Sequence, residues 1–176
     1  MGRYSKGTDL LCPNFRRSCS MCMVGLFYGR MCYNCRLMSE GKILVSACLI
    51  GKPCRYDGKH QLREEVTVLH EEGMTIAVCP EEMGGLSTPR TPAERIGDKV
   101  IDKNGKDVTA EYKCGAQKAL EIALKFGVKE AMLKSKSPMC GCGRIYDGTY
   151  SGKTIEGNGV LAEMLLNAGI EVESID

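Results

Sequence analysis

From Lys42 onward the chain alternates short aliphatic runs with longer amphipathic stretches. KILVSAC (42–48), MTIAVCPE (74–81), VKEAMLK (128–134) and IEVESI (170–175) are brief, rich in β-branched residues and bounded by turn formers, which marks them as buried strands. QLREEVTVLHEEG (61–73) places Leu62, Val66 and Leu69 on one helical face and stops at Gly73. DVTAEYKCGAQKALEIALKFG (107–127) is the strongest helical pattern. Its apolar positions recur at 116, 119, 120, 123 and 124, Asp107 or Thr109 can cap it, and Gly127 ends it. GNGVLAEMLLNAG (157–169) predicts a last helix. Residues 82–106, rich in Gly and Pro, predict a long loop with a small hairpin around Asn104-Gly105. Loops of that length inside a compact domain are more often functional than idle. The alternation implies an α/β fold: a small parallel sheet of about four strands flanked by helices, with right-handed connections.

Residues 1–37 break the pattern. They show little amphipathic periodicity and hold five cysteines, Cys12, Cys19, Cys22, Cys32 and Cys35. Six Lys/Arg stand there against Asp9 alone, whereas residues 38–176 carry a net charge of −3. The chain therefore divides into a basic, cysteine-rich N-terminal extension (1–37) and a single α/β domain (38–176). Cys19-x-x-Cys22 and Cys32-x-x-Cys35 are pairs of the kind that suit tetrahedral zinc, although zinc ribbons usually space them more widely. A disordered tail, or a translation start placed upstream of Met38, explains the same composition. The domain's charge gives no ground for nucleic-acid binding, and only the extension could dock RNA. No apolar run approaches the roughly 18–20 residues of a membrane span. Eleven cysteines, an odd number set largely inside regular patterns, fit a reducing cytoplasm better than a disulfide scaffold.

Three cysteines occupy equivalent places. Cys48, Cys79 and Cys140 each lie at or just after the end of a strand, in a turn with Gly, Pro or Ser. Neighbouring parallel strands are about 4.8 Å apart, so thiols at their carboxyl ends can close around one centre, at the edge where open α/β sheets collect ligands. Ordinary burial accounts for any one such cysteine but less well for all three. Zinc on three thiolates usually recruits a fourth protein ligand, yet His60 and His70 are the only histidines and His70 falls late in a helix. Soft thiolates equally suit an iron–sulfur cluster. A four-iron cube on three cysteines leaves one iron open to substrate. Cys142 and Cys54 remain as alternative ligands, and Cys114 reads as a small core residue of its helix.

SACLIGKPCRYDG (46–58), VCPEEMGGLSTPRTPAE (78–94), DVTAEYKCGA (107–116), LKSKSPMCG (133–141) and IYDGTYSGK (145–153), in this order, resemble the bacterial thiouracil desulfidases, the TudS-like family. The resemblance covers residues 42–175. It implies an oxygen-sensitive [4Fe–4S] cluster held by Cys48, Cys79 and Cys140, and removal of sulfur from a thiolated pyrimidine without net electron transfer. Met139 departs from the pattern, which usually has a small residue there, and bears on the pocket wall and on substrate identity. On this reading Glu81 is the first choice for general base and Ser137 for a hydrogen bond to water or a pyrimidine oxygen. Arg55, Tyr56, Asp57, Arg90 and Ser135 are the candidate substrate contacts, and Lys134 and Lys136 could neutralise sulfide charge. The opposing reading is a non-catalytic iron–sulfur or zinc-binding accessory protein in sulfur or thiolated-tRNA metabolism.

Overall fold

The computed structural model describes residues 41–176, all within one compact unit. The cysteine pairs of residues 1–37, and the zinc and RNA expectations attached to them, lie outside the described residues. In chain order the elements are β1 (Ile43–Ser46), a 3₁₀ turn (Ala47–Ile50), α1 (Glu64–Glu71), β2 (Thr75–Val78), α2 (Pro80–Met83), β3 (Ala93–Ile96) and β4 (Lys99–Asp102). They continue with α3 (Thr109–Lys125), β5 (Glu130–Lys134), β6 (Arg144–Tyr146), β7 (Thr154–Glu156), α4 (Val160–Asn167) and β8 (Glu171–Ile175).

The expected four-stranded sheet is present, in the order β2-β1-β5-β8, and every pairing is parallel. Alternate residues of β1 serve opposite faces. Ile43 and Val45, with Met132, pack against Val66 and Leu69 of α1. Leu44, with Ala131 and Leu133, packs against Ala116, Ala119 and Ala123 of α3 and Leu161 and Leu165 of α4. Helices on both faces explain why β1 reads as an unbroken apolar run, whereas the edge strand β8 alternates. From β1 the chain winds outward to β2, then crosses back over β1 to β5. The winding direction therefore reverses between β1 and β5, and the crevice outside that reversal is where sheets of this kind bind ligands.

Several details depart from the sequence reading. The helix stripe of α3 is carried by small residues and one tyrosine: Tyr112, Gly115, Ala116, Ala119 and Ala123 are buried, while Leu124 is 58% exposed. Cys114 falls outside that stripe and is exposed, so it is not a core residue. The hairpin in the long loop exists, but β3 and β4 turn at Gly97-Asp98. Gly97 takes φ +58°, as a two-residue hairpin loop requires. Asn104-Gly105 forms a separate turn, closed by the Asp102 amide donating to the Lys106 carbonyl at 2.9 Å. The stretch following Cys79 is not a continuation of strand: Pro80 opens the short helix α2, a position that suits its fixed φ and missing N–H. A second hairpin, β6–β7, follows β5.

Candidate active site

The carboxyl ends of β2, β1 and β5, three adjacent strands, lead into a cavity of about 710 Å³. Cys48, Cys79 and Cys140 all line it, as does Cys54 from the loop after the 3₁₀ turn. The thiol of Cys54 interacts with those of Cys48 and Cys79, and the Cys79 thiol donates to the Cys54 carbonyl at 3.6 Å. Cys140 is buried beside Ser46, whose hydroxyl interacts with its thiol and accepts the Lys134 amide at 3.0 Å. Contact with the Cys48 thiol, followed by burial, leaves the Cys54 thiol pushed up to about 11 despite an opposing contact with Cys79. The neighbouring Cys54 thiol and burial raise Cys79, and burial raises Cys140. A buried thiol resists ionisation unless a cation or metal compensates.

Four cations face these sulfurs. Lys52 is placed against Cys54 and Cys79, Arg55 and Lys134 against Cys48, and Arg90 against Cys79. Burial lowers Lys134 below the usual lysine range, and the repulsion of Arg63 outdoes no more than part of the support from Asp176. Four cysteines, no histidine and several cations in or beside the lining fit an anionic iron–sulfur centre. Among the described residues, one trio of ligand atoms is tight enough for a single ion: Cys54, Cys79 and Glu82 lie within 4.8 Å of one another. Glu82 is already engaged, however, by Lys52 at 3.0 Å and by the Thr88 hydroxyl at 3.0 Å. A four-iron cube is bulkier than one ion, so its ligands must stand farther apart. Cys48 and Cys140 stand outside the tight trio and line the same cavity.

Glu81, in the first turn of α2, also lines the cavity. Arg90 Nε donates to its Oε2 at 2.6 Å, and the two side chains are only 8% and 16% exposed. Arg90 uses four of its five N–H groups: it also donates to the Thr88 hydroxyl at 3.0 Å, the Ser87 carbonyl at 3.2 Å and the Cys54 carbonyl at 3.0 Å. Ser137 Oγ accepts the amides of Met139 and Cys140, at 3.1 and 3.2 Å, which orients the hydroxyl and shapes the cysteine turn together. Two non-glycine residues with left-handed backbone, Lys136 (φ 60°) and Tyr150 (φ 57°), both line the cavity. Tyr150 pins the β6–β7 hairpin onto β3–β4, its hydroxyl donating to the Ile101 carbonyl at 2.5 Å and its amide to Glu94 at 3.1 Å. Local strain of this kind is characteristic of functional sites.

The sequence matches the 2-thiouracil desulfurase family over residues 43–176. The chain belongs to that family. Among its relatives is the uncharacterised protein YbbK of Bacillus subtilis (strain 168), 45% identical over 142 residues that span 75% of this chain and 94% of YbbK. Among solved structures, the chain is similar to the [4Fe-4S]-dependent thiouracil desulfidase TudS, with a TM-score of 0.74 and 47% identity, covering 77% of this chain and 91% of TudS. The parallel sheet and the enzyme class expected from the sequence both stand on these matches. As an enzyme of the desulfurase family the chain places its cavity at the switch in strand order. Among the described residues no helix is long and apolar enough to cross a membrane.

Most of the residues singled out from the sequence converge on this cavity: Glu81, Ser137, Arg55, Tyr56, Arg90 and Ser135 line it with the cysteines. Asp57 does not line it. It stands behind Arg55, accepting Nε at 3.2 Å and Nη2 at 3.3 Å. Ser135 is tied on both sides, accepting from Lys134 Nζ at 2.7 Å and donating to Asp176 Oδ1 at 2.6 Å. Cys142 packs at the margin of the core and lies away from the cavity lining. Met139 is fully buried in the core beneath α4, so its size bears on packing and not on the cavity wall. Tyr112, Tyr146, Tyr150 and Glu94 also line the cavity and were not singled out from the sequence. Tyr112 carried a readable signal, since it is the one polar-tipped side chain in an alanine stripe.

Proposed function

We propose that this desulfurase-family enzyme removes sulfur from a thiolated pyrimidine by hydrolysis, using a [4Fe–4S] cluster held by Cys48, Cys79 and Cys140. The observation that carries the reading is the convergence of those three cysteines, from three adjacent strand ends, on one cavity with Glu81 and Ser137. When bound, the cluster would supply a Lewis-acidic iron without a protein ligand, able to polarise the thiocarbonyl. The chain's own residues do the rest. Lys52, Arg55, Arg90 and Lys134 offset the negative charge of the thiolates and of the leaving sulfide. Glu81, held by Arg90, takes a proton from the attacking water and returns one to the departing sulfur. Ser137, its oxygen already accepting two amides, has its hydroxyl hydrogen to donate to the water or to a ring oxygen of the substrate. Tyr56, 44% exposed at the rim, offers a face for the pyrimidine. Overall one C–S bond is exchanged for a C–O bond, with water consumed and hydrogen sulfide released, and no electrons change hands.

The test is reconstitution of the full chain with iron and sulfide under argon, followed by iron and acid-labile sulfide analysis and by sulfide release from 2- and 4-thiouracil. About four iron and four sulfide per chain, with release of sulfide, is the expected result. A colourless protein that holds zinc tightly and leaves both substrates intact would end the proposal.

A further inference from the structure

The backbone that carries Glu81 is set by the long helix α3. A Cβ added at Gly115 would fall 1.8 Å from the Pro80 carbonyl oxygen, and one at Gly84 would fall 2.1 Å from that of Glu111. The two helices therefore touch backbone to backbone, and Lys118 Nζ strengthens the contact by donating to the Met83 carbonyl at 2.8 Å. One turn before Gly115, on the same helix, Tyr112 lines the cavity while remaining only 2% exposed. The neighbouring stripe positions are alanines with no exposure at all, Ala116, Ala119 and Ala123. A phenylalanine would fill the space of the tyrosine ring, so the hydroxyl needs its own reason to be buried, since a buried hydroxyl without a partner is destabilising. The polar groups around it belong to the site: it lines the cavity together with Glu81, Arg90 and Cys140, whose charges act on its hydroxyl. A phenol is un-ionised at neutral pH, and a neutral hydroxyl beside a carboxylate is a donor.

We propose that Tyr112 is a positioning residue for desulfuration: its hydroxyl, together with Arg90, locks the Glu81 carboxylate in one orientation toward the cavity. The inference rests on Glu81 being the proton-transfer group. It is tested with Tyr112→Phe, Glu81→Gln and the double variant, each as reconstituted full chain. Tyr112→Phe keeps the iron content and melting temperature of the parent and a KM within about twofold, while kcat falls about tenfold or more. It adds no further loss to the residual rate of Glu81→Gln. A crystal structure of Tyr112→Phe shows Glu81 in more than one orientation. An unchanged kcat, a loss of iron, or an equal fractional loss in the Glu81→Gln background overturns the positioning role. If Glu81→Gln itself turns over at the parent rate, the proton-transfer assignment of Glu81 falls and takes this inference with it. If Glu81→Gln is inactive while Tyr112→Phe matches the parent, only the role of Tyr112 is lost.

Discussion

The two sides of the cavity are built on different principles. On the α2–α3 side, Glu81 and Arg90 form a nearly buried ion pair, backed by Tyr112 and by glycines that bring two helices into backbone contact. In the adjoining loop, whose Tyr56 carbonyl accepts the Arg90 amide at 2.8 Å, Arg55 leans on Asp57 and Gln61 and Tyr56 is exposed, while at the sheet edge Lys136 meets an Asp176 that is 79% exposed. The first side has one arrangement available to it. The second consists of long side chains on loops, which can adjust to what binds. Chemistry requires a fixed geometry within a fraction of an ångström, whereas recognition of a substrate gains from adaptable contacts; on the proposed reading the two tasks fall to different residues of one lining.

The comparison breaks most completely where the sulfurs are removed. Cys140→Ser is expected to abolish cluster retention, read as iron per chain after reconstitution, and with it all sulfide release. On the rigid side, Gly115→Ala forces a methyl group into the Pro80 carbonyl, and the overpacking should cost about 3 kcal/mol or more in a urea melt. Activity falls with it, because α2 and Glu81 must shift. On the adaptable side, Tyr56→Ala removes an exposed aromatic face and the Arg55 contact at 5.6 Å. Such contacts at exposed sites contribute about 0.5–1 kcal/mol, so KM should rise roughly two- to fivefold with kcat retained. A large fall in kcat there would erase the distinction between the two sides. Smallest of all, Cys142→Ser should leave iron content and turnover unchanged, since the residue stands outside the cavity lining.

The sheet was legible because its strands are short and bounded by turn formers; β1 is buried on both faces, and the edge strand β8, with Glu171, Glu173 and Ser174 exposed, was legible from its length and its place after the last helix. Cys48, Cys79 and Cys140 were legible for the same reason, since each marks a strand end. What escaped were features set by tertiary contact. The α2 helix has four residues, too few for periodicity, and its proline reads as a strand breaker as readily as a helix start. Gly97-Asp98 and Asn104-Gly105 are both good turn sequences, and only the pairing of Arg95 with Val100 decides between them. Leu124 scored as core on hydrophobicity alone, but α3 approaches the sheet and α2 so closely that its buried face admits only alanine, glycine and one flat ring. Tyr112 was overlooked because the role of a tyrosine inside such a stripe depends on what its hydroxyl meets.

The spatial order of the strands has a bearing on biogenesis. Cys48 and Cys79 become neighbours as soon as the first strand–helix–strand unit has formed, but Cys140 reaches the same edge only after the long helix and the strand beyond it have been laid down. A nascent chain on the ribosome can thus offer two sulfurs early and the full set only late. Loading of any centre that needs all three is confined to a chain whose synthesis has passed Cys140.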